Sequence, residues 1–342
     1  MQLAPFVVCP ETLGPLTPRA DGFWSENAQR LYPVHREMVF MGYPAKDATM
    51  IAETMVEERD TQGVATPEVM AANLAFARTS ARYAVDVINI ALRFVDARPV
   101  KALELGAGSG AASWLLAEAG CEVWLCDFEA YSMDRGRRIY EHERIGPGHR
   151  FVTDARYAPF TDETFDLVLL KEFVHHVADF RPLFAEANRV LKVGGILAFM
   201  EPVRSVWQAI RERWRPDPHK GHRITWRSSY MNGLGGTGFS PVHETAIFHN
   251  TARGTAVSLL RRHAQWTTRG MRPAGLVSRA HMQLGGGSSL VVVARKTRTC
   301  APPTRPSMLV VDPDTLIPTD EVAAYAENQK VFRDASRRLV RI

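Results

Sequence analysis

The sequence predicts an α/β fold with a doubly wound, mostly parallel sheet. Between residues 99 and 200, short apolar runs alternate with segments of helical periodicity, and the connections between them are short. A glycine-rich segment joins the first apolar run to the first helical segment, as in folds that bind ligands at a strand-to-helix turn. A later apolar run, Ser289–Arg295, fits an antiparallel last strand.

The alternating elements follow one another in a regular order. Those predicted up to residue 200 are a strand at Val100–Leu105, a helix at Ala111–Ala119, a strand at Glu122–Cys126, a helix at Ser132–Arg144, a strand at Phe165–Leu170, a helix at Phe180–Leu191 and a strand at Gly195–Met200. Beyond them, the predicted elements are a basic helix at Val206–Trp214, a helix near Trp226–Leu234 and a strand near His243–Phe248.

Additions flank this core on both sides. Turn residues are frequent in residues 1–45, which predicts a small hairpin-rich unit. Residues 46–98 form a predicted helical connector, with apolar side chains at helical spacing over Pro67–Ala97. The core domain is predicted to span residues 99–300. Residues 301–342 are a C-terminal extension with helical spacing over Val322–Leu339, and its apolar stripe fits packing on the domain or on the second copy of a homodimer.

Composition indicates a packed globular protein. Of the 342 residues, 46% are hydrophobic and 23% are charged, which excludes a disordered chain. The net charge of +5 is spread along the chain rather than interleaved with aromatic residues, so we expect a basic surface that favours anionic substrates and no nucleic-acid partner. The four cysteines form no CxxC pair, and neither a leader nor a membrane-length apolar run is visible. We therefore expect a soluble cytoplasmic protein.

The glycine-rich segment is the most informative motif. Residues 103–110 read Leu-Glu-Leu-Gly-Ala-Gly-Ser-Gly, with the glycines in a GxGxG spacing, whereas GxGxxG would indicate a dinucleotide. Glu104 lies two residues before the first glycine. S-adenosylmethionine (SAM) carries a cationic methionyl ammonium rather than a pyrophosphate, so a carboxylate beside the loop is electrostatically reasonable.

Further polar motifs follow the later strands. Asp127 comes directly after the second strand, where an acid can accept both ribose hydroxyls. Downstream, the chain reads Asp154-Ala155, then APFTDETFD over residues 158–166, FVHHV over residues 173–177 and RVLKVGG over residues 189–195.

This ordered set resembles the class I SAM-dependent methyltransferase family, in its methyltransferase type 11, UbiE-like branch. The resemblance covers Pro99 to Pro202, and Val193 departs from the proline of the family's RVLKPGG motif. It implies a Rossmann-like sheet and SAM as cofactor, with S-adenosylhomocysteine (SAH) as product. The cofactor residues that it implies are Glu104, Gly106, Ala107 and Gly108 at the methionine end, Asp127 and Phe128 at the ribose, Asp154 and Ala155 at the adenine, and Lys171 with Glu172 beside the sulfonium.

The candidate catalytic residues follow the next two strands. His175 and His176 lie shortly after the strand Phe165–Leu170, and Glu201 directly follows the strand Gly195–Met200. Histidine can act as a general base near neutral pH. O-methyltransferases that act on sugars and natural products have a similar His-His stretch, which implies His175 or His176 as base with Glu201 in support. The alternative is that the histidine pair packs or caps the next helix, as in relatives with carbon or nitrogen acceptors.

An Arg- and Trp-rich insertion follows the strand Gly195–Met200. Arg204, Trp207, Arg223 and Tyr230 are candidates for gripping a carboxylate, phosphate or sugar ring, and a solvated basic face is the alternative. His219 and His222 flank Gly221 in a predicted loop, so we expect no metal site.

The N-terminal unit resembles a Trm112-like zinc ribbon. The matching text is Cys9-Pro10-Glu11-Thr12, then Ser25-Glu26-Asn27-Ala28, then Leu31-Tyr32-Pro33-Val34. Of the four ligand positions in the family pattern, only the first is still a cysteine, Cys9. A tetrahedral zinc site needs four ligands, so these residues cannot supply it. The resemblance therefore implies the hairpin fold without its metal.

Several functions fit these residues. The leading hypothesis is methyl transfer to a hydroxyl of a small, sugar-like or secondary-metabolite acceptor. A second is transfer to nitrogen, carbon or sulfur, with little dependence on the histidines. A third is a SAM-binding partner protein without catalytic activity, although such a protein would have no need of Glu104, Asp127 and Asp154. The glycine spacing and the lack of a second substrate domain disfavour a dinucleotide dehydrogenase.

Overall fold

The structure is a computed structural model that describes residues 1–62, 67–206, 209–210, 224–248, 288–317 and 326–342. Its strands are β1 (Thr17–Pro18), β2 (Gly22–Ser25), β3 (Arg30–His35), β4 (Met38–Pro44), β5 (Lys101–Leu105), β6 (Glu122–Asp127), β7 (Arg150–Thr153), β8 (Phe165–Lys171), β9 (Leu191–Pro202), β10 (Phe239–Phe248), β11 (Ser288–Lys296) and β12 (Met308–Leu309). Its helices are α1 (Ala48–Gln62), α2 (Pro67–Leu92), α3 (Ala111–Ala119), α4 (Ala130–Ile139), α5 (Arg181–Val190), α6 (Arg227–Gly236), α7 (Pro313–Leu316) and α8 (Ala326–Ser336), and two 3₁₀ turns occupy Ala155–Tyr157 and Val174–His176.

The centre of the sheet has the order β7-β6-β5-β8-β9-β11-β10. Strands β7, β6, β5, β8 and β9 are parallel, whereas β11 pairs antiparallel with both β9 and β10. The chain runs outward from β5 to β7 and then returns to the other side of β5 with β8. The strand order therefore reverses between β5 and β8, where folds of this type bind ligands beyond the carboxyl ends of the strands.

Two apolar layers cover the sheet, because successive side chains of each buried strand point to opposite faces. On β5, Ala102 packs in one layer with α2, α3 and α4, whereas Leu103 packs in the other layer with α5 and α6. The predicted α/β class with a doubly wound sheet is thereby confirmed, as is the antiparallel last strand.

The N-terminal hairpins continue the same sheet. Strand β4 pairs parallel with β7, and β3, β2 and β1 follow it outward as antiparallel strands. Strand β12, from the C-terminal region, pairs antiparallel with the end of β4. Helix α8 belongs to the same body, because its Phe332 is buried in the layer that contains α2, as is Leu339 just after the helix. The domain boundaries drawn on the sequence stay predictions, as does the homodimer.

Several predicted bounds differ from the structure. Helix α4 ends at Ile139 instead of Arg144, because the next residues form a turn in which His142 Nδ1 accepts the Arg144 N–H at 3.1 Å. Helix α2 ends at Leu92, and its last turn tightens into a Phe94 N–H to Ala91 O bond of 3.0 Å. Helix α8 begins at Ala326 in the described residues, and most of the predicted basic helix at Val206–Trp214 lies outside them. Across the described chain, no helix is long and apolar enough to cross a membrane.

Candidate cofactor and catalytic site

The glycine loop between β5 and α3 is tightly folded. Gly106, Gly108 and Gly110 all have positive φ angles, of 73°, 52° and 76°, which side-chain-bearing residues rarely adopt. The ring of Phe173 lies where a Cβ on Gly106 would be, so only glycine fits there. A Cβ on Gly108, in contrast, would meet no atom within 4 Å. The loop therefore leaves open space beside Gly108, as a ligand cradle requires.

Glu104 is a buried carboxyl group beneath this loop, with 2% of its surface exposed. Its Oε2 accepts a 2.6 Å hydrogen bond from the Ser113 hydroxyl on α3. Burial raises the pKa of Glu104 to about 7, from an ordinary value of 4.5, and the hydrogen bond from Ser113 and the positive charge of Lys171 offset only part of this effect. A cation bound beside Glu104 would favour the ionised form of this carboxyl group.

Asp127 ends β6 and ties the glycine loop to the next turn. Its Oδ2 accepts the Gly108 N–H and its Oδ1 accepts the Glu129 N–H, both at 2.7 Å. Burial raises its pKa, and these backbone N–H groups lower it in part. A carboxylate has about four acceptor positions, so these contacts leave room for a ligand hydroxyl. Phe128 follows, and its carbonyl oxygen accepts the Tyr43 hydroxyl at 2.7 Å.

Asp154 follows β7, at the same edge of the sheet. Its side chain caps the 3₁₀ turn by accepting the Arg156 N–H at 2.9 Å. The Arg156 guanidinium also forms a bidentate pair with the carboxylate, with 3.0 Å between Nε and Oδ1 and 2.6 Å between Nη2 and Oδ2. An adenine amino group would therefore compete with Arg156 for Asp154, while Ala155 beside it is buried.

Lys171 lies at the carboxyl end of β8, next to the point where the strand order reverses. Its Nζ donates to Ser80 Oγ of α2 at 2.7 Å and to Glu172 Oε2 at 2.6 Å. Glu172 has a φ of 53°, a strained value for a residue with a side chain. Such strain at the end of a central strand is typical of functional sites.

Glu201 and His175 form a buried pair at the carboxyl ends of β9 and β8. Glu201 Oε2 lies 2.6 Å from His175 Nδ1, and the glutamate is fully buried. Its Oε1 accepts the backbone N–H groups of Phe173 and Val174, each at 2.7 Å. The carboxylate therefore caps the 3₁₀ turn and orients the imidazole. His176 is exposed, and its ring centroid lies 4.2 Å from that of His175.

The four predicted acceptor residues have different surroundings. The Arg204 guanidinium lies 6.0 Å from the ring centroid of Trp226. Tyr230 is fully buried between Phe180 and Phe199, and its hydroxyl lies 3.4 Å from the Pro202 carbonyl oxygen. Trp207 and Arg223 lie outside the described residues.

Sequence reasoning missed four residues of this site, namely Tyr43, Ser80, Ser113 and Arg156. Ser113 lies inside a helix with no motif to mark it, and Tyr43 reaches the site only through strand pairing. The Asp-x-Arg spacing of Asp154 and Arg156 is the one signal that could have indicated a local ion pair.

Comparison with known proteins covers the segment that carries most of this geometry. Residues 103–199 match the family model described as methyltransferase domain. The chain is 34% identical over 118 residues to the demethylmenaquinone methyltransferase of Streptomyces avermitilis, an alignment that covers 34% of this chain and 49% of the relative. It is 30% identical over 103 residues to the tRNA 5-carboxymethoxyuridine methyltransferase of Escherichia coli, covering 30% of this chain and 40% of the relative.

A further match is the malonyl-[acyl-carrier protein] O-methyltransferase of Salmonella typhimurium, which is 26% identical over 170 residues, with 42% of this chain and 66% of the relative covered. The chain spans about half the length of the first of these relatives. The expectation of a class I SAM-dependent methyltransferase domain is confirmed for residues 103–199. The zinc-ribbon resemblance of residues 1–45 stays a prediction.

Proposed function

We propose that this protein, whose residues 103–199 are a SAM-dependent methyltransferase domain, methylates a hydroxyl group of a small-molecule acceptor with His175 as general base. The observation that carries the proposal is the 2.6 Å pair between His175 Nδ1 and the buried Glu201 carboxylate. A buried carboxylate that orients a histidine is the arrangement by which proteins prepare an imidazole to accept a proton.

The residues around the glycine loop fit SAM. The open space at Gly108 admits the cofactor, the Asp127 oxygens keep acceptor positions for ribose hydroxyls, and Glu104 can ionise against the methionyl ammonium. SAM supplies a methyl group activated by its sulfonium, so the protein has to orient the acceptor and remove its proton where needed.

Glu201 determines which nitrogen of His175 can take that proton. A carboxylate only accepts hydrogen bonds, so Nδ1 carries the hydrogen in the pair and the lone pair lies on Nε2. As Nε2 accepts the acceptor's proton, the imidazolium is stabilised by the adjacent negative charge. His175 is the base in this proposal because the fully buried Glu201 holds its Nδ1, whereas His176 is exposed.

The acceptor is a small molecule in this proposal, and Arg204 is the described basic residue nearest in sequence to Glu201 that can orient an anionic or polar group. The three relatives are named for demethylmenaquinone, for 5-carboxymethoxyuridine in tRNA and for malonyl-[acyl-carrier protein]. Transfer to nitrogen, carbon or sulfur is the second candidate, and such a transfer would depend little on His175.

Isotope transfer tests the activity and the acceptor class. The full chain is incubated with methyl-labelled SAM and fractionated cell extract, and the labelled product is identified by mass. We expect a small polar product that is one methyl group heavier. Label in RNA or protein would overturn the small-molecule proposal, and SAM binding without any transferred label would favour a non-catalytic partner.

Matched histidine variants test the base. We expect His175→Gln to lower kcat by about 10²- to 10⁴-fold, the usual contribution of a general base, with an unchanged Kd for SAH. His176→Gln should lower kcat much less. His243→Gln, on β10 beside Phe94, serves as the control for loss of a partly buried imidazole. Full turnover in His175→Gln would refute the base and support an acceptor that needs no proton removal.

A further inference from the structure

The last residues of β4 reach the edge of the cofactor site. Gly42 pairs with Thr153, so Tyr43 comes level with the end of β7, where Asp154 begins the next turn. Because β4 runs parallel to β7 and β6, its carboxyl end opens on the same side of the sheet as Asp127. A segment that precedes the predicted methyltransferase domain thus borders the residues assigned to ribose and adenine.

A β-bulge at Gly42 turns Tyr43 toward this site. Along β4, Met38 and Phe40 pack in the layer with α2 and α3, whereas Val39 and Met41 pack in the opposite layer. Strict alternation would send Tyr43 to the layer of Val39 and Met41, but it packs with Met38 and Phe40 instead. The register shift between Phe40 and Gly42, together with the φ of 82° at Gly42, accounts for the reversal.

The Tyr43 hydroxyl has a defined partner there. It donates a 2.7 Å hydrogen bond to the carbonyl oxygen of Phe128, and only 1% of the residue is exposed. Phe128 is the middle residue of the turn in which Asp127 accepts the Glu129 N–H. Burial and the nearby carboxylates of Asp127, Asp154 and Glu129 raise the pKa of Tyr43, so the hydroxyl keeps its proton and remains a donor.

We propose that Tyr43 is a positioning residue of the cofactor site: its hydrogen bond to Phe128 fixes the 127–129 turn, and thereby the Asp127 carboxylate that holds the ribose. The proposal rests on the proposed function, since it assigns SAM to this site. It also gives the N-terminal hairpins a role in cofactor binding, because β4 supplies the residue.

Two tyrosine variants of the full chain test this role. Tyr43→Phe removes only the hydroxyl, and Tyr32→Phe removes another buried hydroxyl of the same hairpins, one that contacts Cys9 at 3.2 Å and Glu11 at 2.9 Å. Calorimetry with SAH should give a Kd about threefold to tenfold higher for Tyr43→Phe, the range of one lost hydrogen bond, and an unchanged Kd for Tyr32→Phe. In turnover assays, Tyr43→Phe should raise the KM for SAM with little change in kcat.

A modified ligand separates positioning from general destabilisation. SAH without its 2′-hydroxyl cannot use the full contact with Asp127, so wild type and Tyr43→Phe should bind it with nearly equal Kd. Equal SAH affinity in wild type and Tyr43→Phe, or the same loss in both tyrosine variants, would overturn the proposal. Wild-type protein that binds no SAH would instead refute the proposed function itself.

Discussion

Glu104 makes the stability of this protein depend on pH in an unusual direction. Its pKa is about 7 in the folded protein, against an ordinary value of 4.5, because burial disfavours its charge. Between these two pH values the folded state holds a proton that the unfolded chain has lost. The free energy of unfolding therefore falls as pH rises from about 4.5 through 7 and stops falling above that range.

The size of the effect follows from the two pKa values. A gap of about 2.5 pH units, at 1.36 kcal/mol per unit, makes this one group cost about 3 kcal/mol at alkaline pH. Other groups also titrate in this range, so the quantity to compare is the difference between wild type and Glu104→Gln. The amide oxygen of the glutamine can still accept the Ser113 hydroxyl, and its charge does not change with pH.

Urea denaturation of both proteins at pH values from about 4.5 to 8.5 measures this difference. We expect Glu104→Gln to gain about 3 kcal/mol relative to wild type across the series, whatever pH-independent offset the amide group adds. The hydrogen bond from Ser113 favours the charged form of Glu104, so Ser113→Ala should raise the pKa of Glu104 in the folded protein. When Glu104→Gln is compared in the Ser113→Ala background, the pH-dependent gain in stability should therefore extend to higher pH. Parallel pH profiles for wild type and Glu104→Gln would refute the reasoning.

Two other features give direct predictions. Gly106→Ala should destabilise the fold by more than about 2 kcal/mol, because the new methyl group would clash with Phe173 at a residue whose φ is already positive. Gly108→Ala should cost about 1 kcal/mol, since only its positive φ is unfavourable, but it should weaken SAH binding. Equal unfolding midpoints of the two variants in urea would contradict this contrast. Cys300 is partly exposed and the other three cysteines are buried, so a thiol reagent should label one thiol per native chain and the other three only after unfolding. Cys300→Ser should abolish labelling of the native protein. A second rapidly labelled thiol would contradict the burial of the other three cysteines.

The central elements were predictable because local pattern and packing agree there. The helix Ala111–Ala119 has its predicted bounds, fixed by glycine at each end, with Gly110 and Gly120 both in the left-handed conformation. Strand β7 was not predicted, because Arg150–Thr153 is too short to show an alternation of apolar and polar residues. Its first residue, Arg150, is buried in the structure although a charged side chain in the sequence indicates an exposed segment. The Asp154 motif was nevertheless found directly after it.

The candidate site was predictable as a set of residues but not as a set of partners. Glu201 lies at the carboxyl end of β9 and the histidines follow the adjacent strand β8, so their proximity follows from the topology. That Glu201 accepts three backbone N–H groups and selects His175 depends on the shape of the 3₁₀ turn, which no spacing reveals. Likewise, the pairing of β4 with β7 joins segments far apart in sequence, and nothing local in residues 1–45 indicates it.

The pairing of β12 with β4 has a consequence for the order in which the protein can be made. Met308 and Leu309 complete the strand edge at Pro44 and Tyr43, and the Ser307 carbonyl oxygen accepts the Ala45 N–H at 2.9 Å. During synthesis, the ribosome delivers residue 43 long before residue 309. The edge beside Tyr43 therefore stays open on the nascent chain until the ribosome has delivered residue 309, and during that interval it is exposed to wrong pairing or chaperone capture.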